Sequence, residues 1–167
     1  MADLPSTPAD GNVKVVWVPT IAVTTAPTVA ELTGASVVDL SCYLSADGFT
    51  PGLDEQVISD DRLCDTETFE QPGRSSRTLS VTYIDNSNTA EDNDAYDTLV
   101  PGTAGYIVVR RGIPYATAFV ATTQKVDVWP VKCGKRSDMP PEANSVLKTS
   151  QKLFVTGRVQ ERKAVAA

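Results

Sequence analysis

Thr78-Leu79-Ser80-Val81-Thr82-Tyr83 decides the reading of this chain. Leu79, Val81 and Tyr83 alternate with three hydroxyl residues, and a period of two is the signature of a strand with one buried face. Working outward, Val38, Leu40, Cys42 and Leu44 alternate with Val37, Asp39, Ser41 and Tyr43, which predicts a second such strand. Tyr106 to Val109 is a continuous apolar run rich in β-branched residues, as expected of a central strand. Val126 and Val128 mark another, which Pro130 should bend or place at an edge. Leu147, Leu153, Val155 and Val159 share one parity, and Lys148, Ser150, Lys152, Thr156 and Arg158 the other. That predicts one long strand with a basic face, Phe154 being the exception.

Two helices interrupt this pattern. Asn88 can cap a helix that has Glu91, Asp92 and Asp94 in its first turns and an apolar stripe of Ala95, Tyr96 and Leu99, with Pro101-Gly102 as the stop. Thr28 and Glu31 have capping-box spacing ahead of Gly34. Residues 1–12 are polar with two prolines and read as an arm, and residues 13–167 as one domain. Gly48, Pro51 and Gly52 predict a projecting loop over 47–54, and Pro140-Pro141 an extended connector over 134–144. Short antiparallel strands with one substantial helix make a mainly β fold, an antiparallel β-sandwich or open barrel with a flanking helix. Such a sheet leaves borders that invite pairing, and a closed ring of subunits removes them.

Charge is divided along the chain. Residues 1–100 hold 17 of the 21 acids and 4 of the 15 bases, a net charge of −13, whereas residues 101–167 carry +7. Unlike poles on one subunit favour head-to-tail stacking, which extends into a filament when the geometry does not close. The overall charge of −6 argues against a protein that coats itself with nucleic acid. No apolar run reaches the length of a membrane span, and the first residues lack the pattern of a signal peptide, so folding in a cytoplasm is expected.

No constellation makes an active site. The chain has no histidine, which removes His-dependent nucleophiles and His-ligated metals. Asp54-Glu55 and Asp60-Asp61 are neighbours that a strand points to opposite faces. Asp85-Asn86-Ser87-Asn88 starts like a calcium loop, but Ala90 and Tyr96 stand where glycine and glutamate are needed. Three cysteines, Cys42, Cys64 and Cys133, match no zinc spacing and read as small core residues, with a Cys42–Cys64 bridge as the alternative. Arg110-Arg111 and Lys132 to Arg136 form basic patches, read as contacts with acids of another copy ahead of a phosphate site. Trp17 and Trp129 fit a core or an interface. No cofactor or metal is expected, nor enzymatic activity.

An ordered series of segments carries a resemblance. It runs through Gly48-Phe49-Thr50-Pro51-Gly52, Asp60-Asp61-Arg62-Leu63-Cys64, Pro101-Gly102-Thr103-Ala104-Gly105-Tyr106 and Arg110-Arg111-Gly112. It continues with Val126-Asp127-Val128-Trp129-Pro130-Val131 and Pro140-Pro141-Glu142-Ala143-Asn144-Ser145-Val146-Leu147-Lys148, and ends with Gln151-Lys152-Leu153-Phe154-Val155-Thr156-Gly157. The order and overall length resemble the major tail tube subunit of long, non-contractile-tailed bacteriophages, especially those of actinobacterial hosts. The resemblance implies hexameric rings whose inner strands join into one barrel, stacked into a hollow tube by a projecting loop and terminal arms. It implies a structural virion protein assembled in the host cytoplasm, with no catalytic residue. Its partners would be itself, the tape measure protein, and the tail tip and terminator proteins, and double-stranded DNA would pass without specific binding and without a membrane role.

On that resemblance, Asp47, Phe49, Asp54 and Glu55 are expected at contacts between rings or subunits, opposite Lys148, Lys152 and Arg158. Asp39, Ser41 and Tyr43 are expected to face an acidic or neutral bore, where DNA would slide. Replacing Lys152 with Glu is then expected to block tube growth. An immunoglobulin-like binding module and the inner tube of a contractile injection machine are the alternatives.

Overall fold

A computed structural model describes residues 5–89 and 92–167. Among the described residues eight strands form one antiparallel sheet: β1 (Val13–Val18), β2 (Val38–Asp39), β3 (Leu44–Asp60), β4 (Phe69–Ile84), β5 (Ala104–Arg111), β6 (Lys125–Asp138), β7 (Lys148–Val155) and β8 (Gln160–Ala164). Their spatial order is β2-β1-β5-β6-β7-β4-β3, with β8 also on β6. Two short helices, α1 (Val29–Thr33) and α2 (Asp94–Thr98), complete it.

β6 makes the sheet curl. Residues 127–132 pair with β5. On the opposite side β6 takes β8 along its first residues and β7 along its last. The exchange falls at Pro130, which has no N–H to donate but whose carbonyl accepts the Thr156 amide as the chain leaves β7. The sheet thereby folds over itself, and one face encloses the main core. Trp17, Ile107, Val109, Trp129 and Val131 from one half meet Leu79, Val81, Tyr83 and Leu153 from the other, with Ala95 and Leu99 of α2 closing the side. The opposite face of β1, β5 and the start of β6 carries a second core of Val16, Val18, Val108, Val126 and Val128 under Ile21, Leu32, Phe119 and Val165. Strands buried on both faces read as continuous apolar runs, which accounts for Val15–Val18 and Ile107–Val109.

Thr78–Tyr83 is as expected: its odd positions are fully buried in β4. The 37–44 segment is not one strand. Only Val38–Asp39 pairs with β1, because the Ser41 hydroxyl takes the Val15 amide at 3.0 Å and ends the ladder with a side chain. The chain then turns through Leu40, whose carbonyl accepts the Tyr43 and Leu44 amides.

Residues 47–54 lie inside β3 rather than in a loop. Gly48 sits in an irregularity between the Leu44↔Tyr83 and Phe49↔Val81 pairs. A Cβ there would meet the Thr82 carbonyl oxygen at 2.1 Å, so glycine marks a close approach of two backbones. Pro51 is tolerated because β3 has only β4 as a partner. The connector is likewise shorter than 134–144, since β6 continues to Asp138. The final basic strand is two strands, β7 and β8, divided at residues 156–159.

α1 carries the expected capping box: Glu31 Nα donates to Thr28 Oγ1, and the Glu31 carboxylate accepts from the Thr28 amide at 2.8 Å. Backbone amides of Ala22 and Thr28 hold the Glu31 carboxyl below its usual range. α2 starts later than expected, at Asp94, with Asn93 at its N-cap. Asn88 lies in a turn, and Glu91 lies outside the described residues. The Asn93 side chain makes no cap bond because it is buried and donates to Asp85 Oδ1 at 3.1 Å.

Candidate assembly surfaces

The longest strands outrun their sheet. β4 pairs with β7 only from Leu79 to Ile84. Beyond that the β3–β4 ladder continues alone, from Gly52↔Thr78 to Asp60↔Phe69. Nine residues of β3 and ten of β4 extend this ribbon about 30 Å from the body. Its residues are exposed, among them Leu53, Val57, Ile58 and Phe69, and Leu63 at the tip is fully so. Isolated two-stranded ribbons are marginal in water, and apolar side chains on such a ribbon fit contact with another molecule.

Acids crowd this arm: Asp54, Glu55, Asp60, Asp61, Asp65, Glu67 and Glu70, against Arg62, Arg74 and Arg77. Arg62 clasps Asp60 with two bonds of 3.2 and 2.9 Å where the hairpin turns, and Arg77 pairs with Glu161 at the arm's root.

Among the described residues β2 and β8 each end the sheet with a single partner, and two further borders lack a strand. β3 pairs only with β4, and among the described residues no strand flanks β6 beyond Lys132 on the β5 side. Between them the face of β4, β7 and late β6 that points away from the core is uncovered. It presents Thr78, Ser80 and Thr82, then Lys148, Ser150, Lys152 and Phe154, then Lys132 and Ser137, in register across the three strands.

The residues expected at assembly contacts separate. Asp54 and Glu55 stand exposed at the arm's root, in register with Ser76 and Ser75. Asp47 sits in the β3 irregularity and accepts from Ser45 Oγ at 3.0 Å. Phe49 points into the core, edge-on to Trp129 with centroids 6.4 Å apart. Lys148 and Lys152 lie on the uncovered face, Lys148 at 3.9 Å from Glu142. Arg158 is exposed in the turn between β7 and β8.

Asp39, Ser41 and Tyr43 do not share one strand face, and each is engaged within the subunit. Asp39 pairs with Lys14 at 3.0 Å. Partial burial pushes its carboxyl up, but the Ser41 and Lys14 hydrogen bonds outweigh this and its pKa is lowered. Ser41 holds Val15. Tyr43 donates to Asp94 Oδ2 at 2.9 Å, which raises its phenol pKa.

The basic patches also divide. Arg111 is exposed, but Arg110 is fully buried in β5, giving hydrogen bonds to Gln124 Oε1 and the carbonyls of Ala118 and Pro114. Burial lowers its pKa. Arg136 stacks on the Tyr96 ring and donates to the Tyr96 and Leu99 carbonyls at the end of α2. Buried Gln151 donates to Leu99 and Gly134 carbonyls while accepting from Tyr83. Sequence reasoning missed this polar lock. Its one signal was Gln151 on the buried parity of β7. All three cysteines are free: Cys42 lies in the turn before β3 and Cys64 at the hairpin tip, so most of the arm separates them, while Cys133 is buried. Both tryptophans belong to the core.

Open borders and a protruding acidic ribbon define a self-associating β-sandwich subunit. Comparison says which kind: the chain belongs to the phage tail tube protein family, whose model matches residues 1–167. It is therefore a structural component of a phage particle. Its fold is similar to a subunit of the SPP1 tail tube, with 15% identity and a TM-score of 0.56 over 93% of this chain and 79% of that one. A chain of the anti-feeding prophage baseplate matches at 11% identity and a TM-score of 0.46, over 97% of this chain and 98% of that one. No curated protein sequence matches.

Proposed function

We propose that this tail tube protein forms hexameric rings that close by pairing the β3 border of one copy with the late β6 border of the next. The rings stack into the tube of a long, non-contractile phage tail, of a phage with an actinobacterial host. The full-length family match carries the reading, and the two open borders supply its chemistry. Closing a ring satisfies both rows of unpaired backbone groups without capping either with a special element. The acidic arm, with Asp54 and Glu55 at its root, bridges to the next ring, where exposed bases, Arg158 among them, meet it.

Assembly proceeds in the host cytoplasm around a tape measure protein, between a tail tip and a terminator, and the finished bore conducts double-stranded DNA into the host. No reaction is required of the subunit. Negative-stain microscopy of the purified chain at rising concentration tests this. Rings or tubes are the expected result, and a monomer that persists at high concentration would sink it.

A further inference from the structure

Of the sheet's faces, one is left without a cover among the described residues. The enclosed face holds the main core, and the opposite face of β1, β5 and early β6 lies under α1, Phe119 and Val165. The same face continues uncovered across late β6, β7 and β4. It is too polar for a contact between copies: hydroxyls of Thr78, Ser80, Thr82, Ser137 and Ser150 dominate, whereas interface centres are depleted in charge and rich in large apolar groups. It also lies between the two open borders. In a ring closed through those borders, the layer of β1, β2, β5, β8 and both helices stacks on its other side. That bulkier layer needs the larger circumference, so the bare face turns inward.

From this geometry we infer that the bare face lines the bore, and that Lys132, Lys148 and Lys152 contact the phosphate backbone of double-stranded nucleic acid there. The inference rests on the tube reading above. Lys132 is in register with Phe154, next to Lys152, whose ammonium lies 5.3 Å from the centre of the Phe154 ring. Neither lysine forms an ion pair among the described residues, and Lys148 has only the 3.9 Å contact with exposed Glu142. No acid occupies the outward positions from Thr78 to Ile84 of β4 or along β7. The face of β4, β7 and late β6 is therefore hydroxyl-rich with a basic band, Asp54 beside Ser76 at the arm's root being an acid of the same parity on β3; this is the reverse of the acidic lining expected from the charge of residues 1–100. Each contact releases a counterion, so the grip is salt-dependent: raising salt from about 50 to about 200 mM weakens it about 3.5-fold per contacting lysine.

Tubes of the purified chain, confirmed first by microscopy, are treated with a small amine-acylating ester or with the same ester tethered to a dextran too large to enter. Lysine modification is read by mass spectrometry. Lys132, Lys148 and Lys152 should react with the small reagent alone, and Lys125 and Lys163 of the outer layer with both. A short DNA duplex should slow acylation of the three at low salt, the protection fading at high salt. The triple variant Lys132→Gln, Lys148→Gln, Lys152→Gln should keep tube length but bind less duplex, and Lys152→Glu, expected from charge pairing between rings to block growth, should instead still form tubes. Reaction with the tethered ester would put these lysines outside, and reaction with neither would bury them between copies. Protection by an acidic protein but not by duplex would assign the band to a protein cargo. Each of these overturns the inference while leaving the tube intact, whereas failure to form tubes at all overturns the tube reading itself.

Discussion

At the scale of single residues, this subunit places polar anchors where the pattern of the chain suggests only surface. Arg110 is buried without an ion pair among the described residues, Asp39 acting on it only from a distance, and its charge is met by carbonyls and an amide of the 114–124 segment. Replacing it with leucine strands those acceptors, and Arg110→Leu should cost about 2–3 kcal/mol in urea unfolding. Tyr83 adds a pH dependence. Burial, offset in part by Arg136, pushes its phenol up to about 12, and the same cause raises the Cys133 thiol to about 11. Both groups fold neutral. The stability they protect is complete below their unfolded values, near 9 for the thiol and 10 for the phenol, and is lost as pH rises through the folded ones. Unfolding free energy should therefore fall between pH 9 and 12, by about 2–3 kcal/mol for Tyr83 alone. Tyr83→Phe, measured over the same range, should remove the part above pH 10 and leave the thiol's. The position of Tyr83 inside was legible from parity and that of Cys133 from its residue type; the burial of Arg110 was not, because an arginine after an apolar run reads as the strand's wet end.

At the scale of elements, the β3–β4 arm and the body are energetically separate. The arm buries little and makes its ladder only with itself beyond Leu79. Excising residues 54–76 and joining the strands by a tight turn should leave the melting temperature of the isolated subunit within about 3 °C, since few stabilising contacts are lost. The same variant should form no stacked tubes by electron microscopy. Glycine and proline at 48, 51 and 52 predict a loop because both residues usually break strands. Here they serve an edge strand, where one irregularity needs a missing Cβ and an unpaired side tolerates a missing N–H. Local composition cannot distinguish these cases; the partner strand decides.

At the scale of the whole molecule, the proposed contact of the acidic arm with Arg158 would make stacking an electrostatic as well as a steric event. Tube growth followed by light scattering should slow as salt rises, because exposed charges are screened beyond about 8 Å at physiological ionic strength. Arg158→Glu should slow it further at low salt and matter less at high salt. By itself the sequence determined that this chain is mainly β, where its central strands run, which face of β4 and β7 is buried and that its charge is divided along its length. These follow from periodicity and composition, which act within a few residues. Only the tertiary structure decided that β6 is shared between two halves, that 44–60 and 69–84 leave the body as a ribbon, and that Lys148 and Lys152 belong to a bare face between two open borders. Those depend on which distant strand lies alongside, and pairing energy comes from backbone groups that every residue carries alike.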